Sequence, residues 1–173
     1  MLFRSERGRD PKRYDFERVY DMAQLATDRA IPLARIRRAL ADQDALVRYW
    51  AATGVVIRGK DAVSAAAVDV AKLLDDPEPG PQIAAAEALA RFGSAEARKR
   101  AIAVLLARSD AARNHEYVAM LALNALNQVT DLPDDVTQAV KALPTTPTTS
   151  ADHIPQRENY LPKLVTAIVE GIR

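Results

Sequence analysis

The chain repeats itself, and this internal repeat constrains its fold more than any other feature of the sequence. Residues 47–59 (VRYWAATGVVIRG) align without gaps with residues 81–93 (PQIAAAEALARFG), at an offset of 34 residues. Residues 120–129 (MLALNALNQV) align with residues 83–92 at an offset of 37 residues. Each period has room for two amphipathic helices, and periods of this length indicate an α-solenoid, in which every unit packs on its neighbours.

The amino-acid composition favours helices over strands. Hydrophobic residues make up 49% of the chain, mostly Ala, Leu and Val, whereas aromatic residues make up only 5%. Ala and Leu rank high in helix propensity, and Ala occupies little space where helix backbones approach closely. Apolar residues recur at helical spacing between short breaks rich in Asp, Gly and Pro, which indicates a series of short helices.

These patterns predict an all-α fold, a right-handed α-solenoid of about three to four HEAT-like helix pairs with an additional C-terminal helix. The helix pairs are expected over residues 15–143, after a charged N-terminal arm at 1–14. Residues 144–158 are rich in Thr and Pro, which is typical of a linker, and a last helix is expected over 159–173. The predicted helix starts are Asp15, Asp44, Asp61, Ser94, Asn114 and Asn159, and Gly59 is the predicted glycine at the end of a helix.

The position of the shared residues separates two kinds of repeat. Tetratricopeptide repeats have a period of ~34 residues but carry their signature in the first helix. Here the shared residues lie in the second helix, as Val-Arg-x-x-Ala-Ala after an Asp-rich turn, which is the HEAT pattern. We expect the paired alanines to let second helices approach closely, and Asp44 to pair with Arg48 at the turn. Gln82 takes the Arg position in the second copy, so a ladder of Asp and Arg across repeats should be incomplete.

The sequence contains no recognisable catalytic or metal-binding pattern. It has two histidines, His115 and His153, and no cysteine, which excludes a thiol nucleophile and a cysteine-ligated zinc site. A zincin motif beginning at His115 would need a second histidine where Ala119 stands. The six glycines form neither G-x-G-x-x-G nor a P-loop. We therefore predict no catalytic, cofactor-binding or metal-ligating residue, and no enzymatic activity of this chain by itself.

Solenoids usually bind partners on their concave surface, which the second helices line. Four side chains of second helices are predicted to reach that surface and to contact another protein: Arg48, Tyr49, Tyr117 and Asn124. Trp50 lies on the apolar face of its helix and is expected in the core.

Two basic clusters, at residues 35–38 and 98–100, keep nucleic acid open as an alternative partner. Some HEAT-like solenoids hold DNA in a basic concave groove. Here both clusters fall on first helices, which normally line the convex side, and the formal net charge is only +1. Nucleic acid is therefore the less favoured partner. No apolar run approaches the ~18 residues of a membrane span, so none is expected.

Four segments together resemble the C-terminal extension of certain bacterial sulfatases: DPKRYDFERVYDMAQLATDR (10–29), DQDALVRYWAATGVVIRG (42–59), IAAAEALARFG (83–93) and ALNALNQV (122–129). The resemblance covers residues 9–130, and VRYWAATG is its most specific motif. In that family an armadillo-like HEAT-repeat tail follows a catalytic domain of the alkaline-phosphatase superfamily. The family's nucleophile motif, Cys-x-Pro-Ser-Arg or Ser-x-Pro-Ser-Arg, does not occur here, so no catalytic residue carries over.

The resemblance implies an accessory role beside a sulfatase catalytic domain in the same polypeptide: packing on it, shaping its oligomer or presenting it to a partner. The alternative is a free-standing HEAT scaffold that binds a peptide or protein in its concave groove. The expected compartment depends on this choice, and it is periplasmic or extracellular for part of a secreted sulfatase and cytoplasmic otherwise.

Overall fold

The computed structural model describes residues 15–146 and 160–172, and all regular secondary structure in these two ranges is helical, which confirms the all-α prediction. A short 3-10 turn, Leu73–Asp75, follows the fourth helix. The predicted arm at 1–14, most of the predicted linker at 144–158 and the predicted cap Asn159 lie outside the described residues. The helices are α1 Phe16–Thr27, α2 Leu33–Ala39, α3 Ala45–Arg58, α4 Lys60–Lys72, α5 Pro79–Phe92, α6 Ala95–Ser109, α7 Glu116–Asn127, α8 Asp134–Lys141 and α9 Tyr160–Glu170.

Local signals in the sequence determine several helix ends. The side chains of Asp15, Asp44 and Ser94 each accept a hydrogen bond from a backbone N–H in the first turn of α1, α3 and α6, as predicted. Gly59 ends α3 with a φ of 77°, a left-handed conformation that glycine adopts without a steric penalty. These four predicted ends are therefore confirmed.

Two other helix starts differ from the prediction. Helix α4 begins at Lys60, directly after Gly59, so Asp61 lies within its first turn instead of before it. Helix α7 is capped by His115, whose Nδ1 accepts a hydrogen bond from the backbone N–H two residues on. The Asn114 amide instead donates to two backbone carbonyls at the C-terminal end of α6, and this leaves the cap position to the next residue.

The odd-numbered helices form one row in the order of the chain. Helix α1 packs on α3, α3 on α5, α5 on α7, and α7 on α9. We call these helices the odd row. The even-numbered helices α2, α4, α6 and α8, the even row, pack on this row, and each contacts the odd helices that precede or follow it in sequence. Contacts are therefore made mainly between elements that are close along the chain.

Small residues are buried in the odd-row helices, and two of them lie at a close contact between α1 and α3. The paired alanines at 51–52 in α3 and 85–86 in α5 are completely buried. A Cβ atom added to Gly54 would lie 3.0 Å from Cα and 3.2 Å from Cβ of Ala26, so α1 and α3 touch almost backbone to backbone at this point. Close approach of this kind requires residues without bulk, which explains the alanine-rich repeat.

Arginines hold the C-terminal ends of the odd-row helices. The Nη1 group of Arg58 donates to the carbonyls of Ala26, at 2.8 Å, and Gly54, at 2.9 Å. The Nη1 group of Arg98 donates to Ala90 O at 2.8 Å, and its Nη2 group donates to two carbonyls just after α7. The last carbonyls of a helix lack intrahelical partners and carry partial negative charge, so a guanidinium there satisfies them and favours the helix dipole.

The last helix closes the far end of the odd row. Leu161, Leu164 and Ile168 of α9 are buried, and α9 packs on α7 and α8. Ile172, which follows α9, is 57% exposed. Within residues 15–146 and 160–172, no helix has the length and apolar character needed to cross a bilayer.

The alanine contacts generate a stability prediction. Replacing Ala86, which is 0% exposed in α5, with Leu forces extra bulk into a close helix contact and should cost about 1–3 kcal/mol of unfolding free energy. The matched control is Ala65→Leu on the exposed face of α4, which should change stability by less than about 0.5 kcal/mol. Urea denaturation of both variants measures the difference, and equal stabilities would show that Ala86 does not lie in a tight contact.

Candidate protein-contact surface

Three aspartates mark the same point of successive repeats, the turn before an odd-row helix. Asp42, Asp76 and Asp110 are spaced by 34 residues, and each carboxylate accepts a hydrogen bond from the backbone N–H two residues on, at 2.8, 2.9 and 2.9 Å. This arrangement is an Asx turn. Helices α3 and α5 begin three residues after their aspartate, whereas α7 begins six residues after Asp110. The three additional residues account for the offset of 37 in the third sequence copy.

Arg48 connects two of these turns. Its Nε and Nη2 groups donate to the two carboxylate oxygens of Asp76 at 2.7 and 2.8 Å, and its Nη1 donates to the carbonyls of Asp42, at 2.8 Å, and Gln43, at 3.0 Å. The side chains of Arg48 and Asp76 are only 13% and 4% exposed. The hydrogen bonds from Arg48 to Asp76 raise the pKa of the guanidinium above its ordinary value. The predicted pairing of Arg48 with Asp44 is wrong, because Asp44 caps its own helix by accepting from Leu46 N.

Equivalent contacts tie the neighbouring repeats. On the N-terminal side of the Arg48 contact, Arg18 of α1 forms an ion pair with Asp42. On its C-terminal side, Gln82 of α5 takes the position that Arg48 has in α3. The Gln82 Nε2 donates to Leu74 O, and its Oε1 accepts from Arg108 Nε. We call this series of contacts, from Arg18 to Arg108, the polar ladder. The expectation that an Asp–Arg ladder would be interrupted at Gln82 is confirmed, but the glutamine continues the ladder with different chemistry.

Two of the four predicted contact residues are occupied within the chain. The guanidinium of Arg48 makes four hydrogen bonds in a nearly buried site, so the structure gives it an internal role and offers little of it to a partner. Asn124 is partly buried, and its amide donates to Met120 O of its own helix at 2.9 Å. Spacing along the sequence placed both residues on second helices but did not indicate these bonds.

The other two predicted residues present aromatic rings. Tyr49 is partly buried, its ring packs edge-on against Trp50 with centroids 5.3 Å apart, and a Cβ added to Gly80 would lie 3.6 Å from its Cδ2. Tyr117 is 37% exposed, and its ring stacks on His115 with centroids 5.4 Å apart and an interplanar angle of 8°. Both tyrosines lie in the first two turns of odd-row helices, at the end where the polar ladder runs.

Aromatic residues are distributed unevenly between the two rows. The aromatic residues that the structure describes are Phe16, Tyr20, Tyr49, Trp50, Phe92, Tyr117 and Tyr160. Each of these residues belongs to an odd-row helix, and none of them is fully buried. Trp50, expected in the core, is partly buried. Among the residues that the structure describes, the apolar core consists instead of Ala, Val, Leu and Ile with a single Met. The signal that could have revealed this distribution was the absence of aromatic residues from every predicted first helix.

The basic clusters lie on the even row, as expected. Half of their side chains bind within the chain: Arg37 forms an ion pair with Asp69 at 2.8 Å, Arg100 pairs with Asp75 at 2.6 Å, and Arg98 donates to helix-end carbonyls. The Arg37 hydrogen bond lowers the pKa of Asp69 below its ordinary value. These contacts reduce the positive charge that the clusters offer to a polyanion.

No group of three or more His, Cys, Asp or Glu side chains suited to a metal ion occurs within 15–146 and 160–172. Comparison of the chain with protein-family models, with curated proteins and with solved structures gave no match. The contacts described above are therefore the basis for inferring function.

The buried contact between Arg48 and Asp76 generates a prediction with an internal control. Arg48→Met leaves the Asp76 carboxylate buried without a cation and should cost about 3–5 kcal/mol of unfolding free energy. Arg37→Met breaks a pair whose side chains are 44% and 28% exposed, and should cost about 0–1 kcal/mol. Urea denaturation of the two variants provides the comparison. Similar losses for both would contradict a special role of Arg48 in joining repeats.

Proposed function

We propose that this chain is a HEAT-type solenoid that binds protein surface along its odd row and carries no catalytic site of its own. The observation that carries the proposal is the 34-residue spacing of Asp42, Asp76 and Asp110, each in the same turn before an odd-row helix. Repeated turns joined to helices that pack in chain order are what a stack of helix pairs requires.

The proposed contact surface is the N-terminal edge of the odd row, which we define by Tyr49, Trp50, His115 and Tyr117. Tyrosine and tryptophan are enriched in protein interfaces because they offer a large apolar area together with a polar group. Stacking and edge contacts hold these rings in pairs, at 5.3 Å for Tyr49–Trp50 and 5.4 Å for His115–Tyr117. Rings held in this way lose little conformational freedom when a partner binds, which favours association.

The rigidity of this edge has a structural source. The polar ladder lies at the same end of α3 and α5, where Arg48, Asp76 and Gln82 are bonded inside the chain. Polar groups that are satisfied internally hold the helix ends in position, and the partly exposed aromatic rings lie beside them. The surface is therefore suited to an apolar or mixed protein surface more than to a highly charged one.

We further propose that this surface serves as the accessory tail of a larger sulfatase-like protein, on the strength of the resemblance over residues 9–130. An accessory module needs a stable shape and an exposed contact surface, and the chain offers both. The alternative, a free-standing scaffold with the same contact surface, differs only in whether the polypeptide extends beyond these 173 residues.

One experiment tests the contact surface and this alternative together. The photo-reactive p-benzoylphenylalanine is placed at Tyr117 or, as the control, at Val68 of α4, which is 72% exposed. Each variant gene replaces the natural gene at its chromosomal position, the cells are irradiated, and the cell extract is blotted with an antibody to this chain. We expect a cross-linked protein adduct from the Tyr117 position and none from Val68. Equal adducts from both positions, or none from either, would contradict a contact surface on the odd row.

The uncross-linked band on the same blot reports the size of the native polypeptide. A band well above 18.9 kDa supports the accessory-tail proposal. A band near 18.9 kDa contradicts the accessory-tail proposal and favours the free-standing scaffold. The mass of the adduct, less that of this chain, then gives the mass of a separate partner.

A further inference from the structure

Helix α1 has an exposed aromatic face at the open end of the odd row. Its main neighbour is α3, and the buried residues Val19, Met22 and Ala26 lie on the opposite side from this face. Phe16 and Tyr20 are each 49% exposed, and their rings stack with centroids 6.3 Å apart. Two adjacent aromatic rings exposed to this extent form a contiguous apolar patch, so this face is suited to a binding partner.

The same face carries exposed negative charge. Glu17 and Asp21 are exposed, they lie one turn apart beside the aromatic pair, and neither forms an ion pair or side-chain hydrogen bond with another described residue. Gln24 continues this line by a further turn. We define the free face of α1 as Phe16, Glu17, Tyr20, Asp21 and Gln24. It is suited to a segment that combines apolar and basic side chains.

A segment of this composition directly precedes the helix. Residues 1–14 (MLFRSERGRDPKRY) contain the apolar pair Leu2–Phe3 and then five basic and two acidic residues, a net charge of +3. Fourteen extended residues reach as far as ~46 Å, whereas the twelve residues of α1 are only ~18 Å long. The segment is therefore long enough to return along the whole helix, and its attachment at residue 15 holds it at a high local concentration.

We propose that residues 1–14 bind the free face of α1, with Leu2 and Phe3 against the Phe16–Tyr20 pair and the basic residues beside Glu17 and Asp21. A stack of repeats needs a cover at each end because the terminal unit lacks one neighbour. Helix α9 covers one end by burying Leu161, Leu164 and Ile168. The N-terminal segment covers the other end, which directs an outside partner to the N-terminal edge of the odd row instead.

The absence of cysteine from the chain allows a direct test in solution. A nitroxide spin label is attached to Ser5→Cys in the full-length, isotope-labelled chain, and the loss of amide NMR signal is measured along the sequence. We expect selective loss at Tyr20, Asp21 and Gln24, and none at Val68 of α4. The control label, at Thr166→Cys on the exposed face of α9, should leave the α1 signals intact.

Charge reversal then tests the recognition itself. Glu17→Lys with Asp21→Lys should abolish the signal loss on α1, and so should ~1 M salt, at which the Debye length falls to about 3 Å. The matched control is Asp61→Lys, an exposed acidic residue in the first turn of α4, which should leave the signal loss unchanged. Circular dichroism of each variant checks that helix content is retained.

Three results would overturn the proposal. One is a Ser5→Cys label that leaves the α1 signals intact, and another is signal loss that persists in the doubly reversed variant. The third comes from mixing spin-labelled chains with separate isotope-labelled chains. If α1 then loses as much signal as it does when both labels are on one chain, the occupant is a second copy and not the chain's own N-terminal segment.

Discussion

The buried ion pair between Arg48 and Asp76 joins α3 to the turn before α5, and the alignment of these two odd-row helices depends on it. Asp76 accepts two hydrogen bonds from Arg48 of α3 and a third from the backbone N–H of Glu78, which leads into α5. Two apolar side chains of similar size could stabilise the contact as much. The ion pair also fixes the register of the two helices, because only one alignment of α3 with α5 satisfies the buried carboxylate, whereas apolar contacts have no directional preference.

The sequence predicts those features that depend on neighbouring residues. Asp15, Asp44, Ser94 and Gly59 were recognised as helix ends because each acts within one helical turn. The partner of Arg48 was missed because Asp76 is 28 residues away and a closer carboxylate, Asp44, was available. The candidate site was predicted in part for the same reason. Helical spacing placed side chains on second helices but did not show which of them already had partners in the next repeat.

The division of roles between residue types connects the structure to the proposed function. Small apolar residues fill the contacts between helices, arginines and aspartates join the turns, and the aromatic residues of the described chain are left partly exposed on the odd row. Tyr49, Trp50 and Phe92 pack against the core with one side, while Phe16, Tyr20, Tyr117 and Tyr160 are exposed. Exposed aromatic rings offer a large apolar area to a partner, which is why the proposed contact surface is placed on this row.

Native-state hydrogen exchange of the 173-residue chain distinguishes a stack of repeats joined only through neighbours from a single undivided core. In such a stack the stability of each unit depends on its neighbours, so units at the ends open more readily than those in the middle. We expect the slowest exchange in α3 and α5 and progressively faster exchange toward α1 and α9. Uniform protection of all these helices, lost in a single cooperative opening, would contradict the stack and indicate one undivided core.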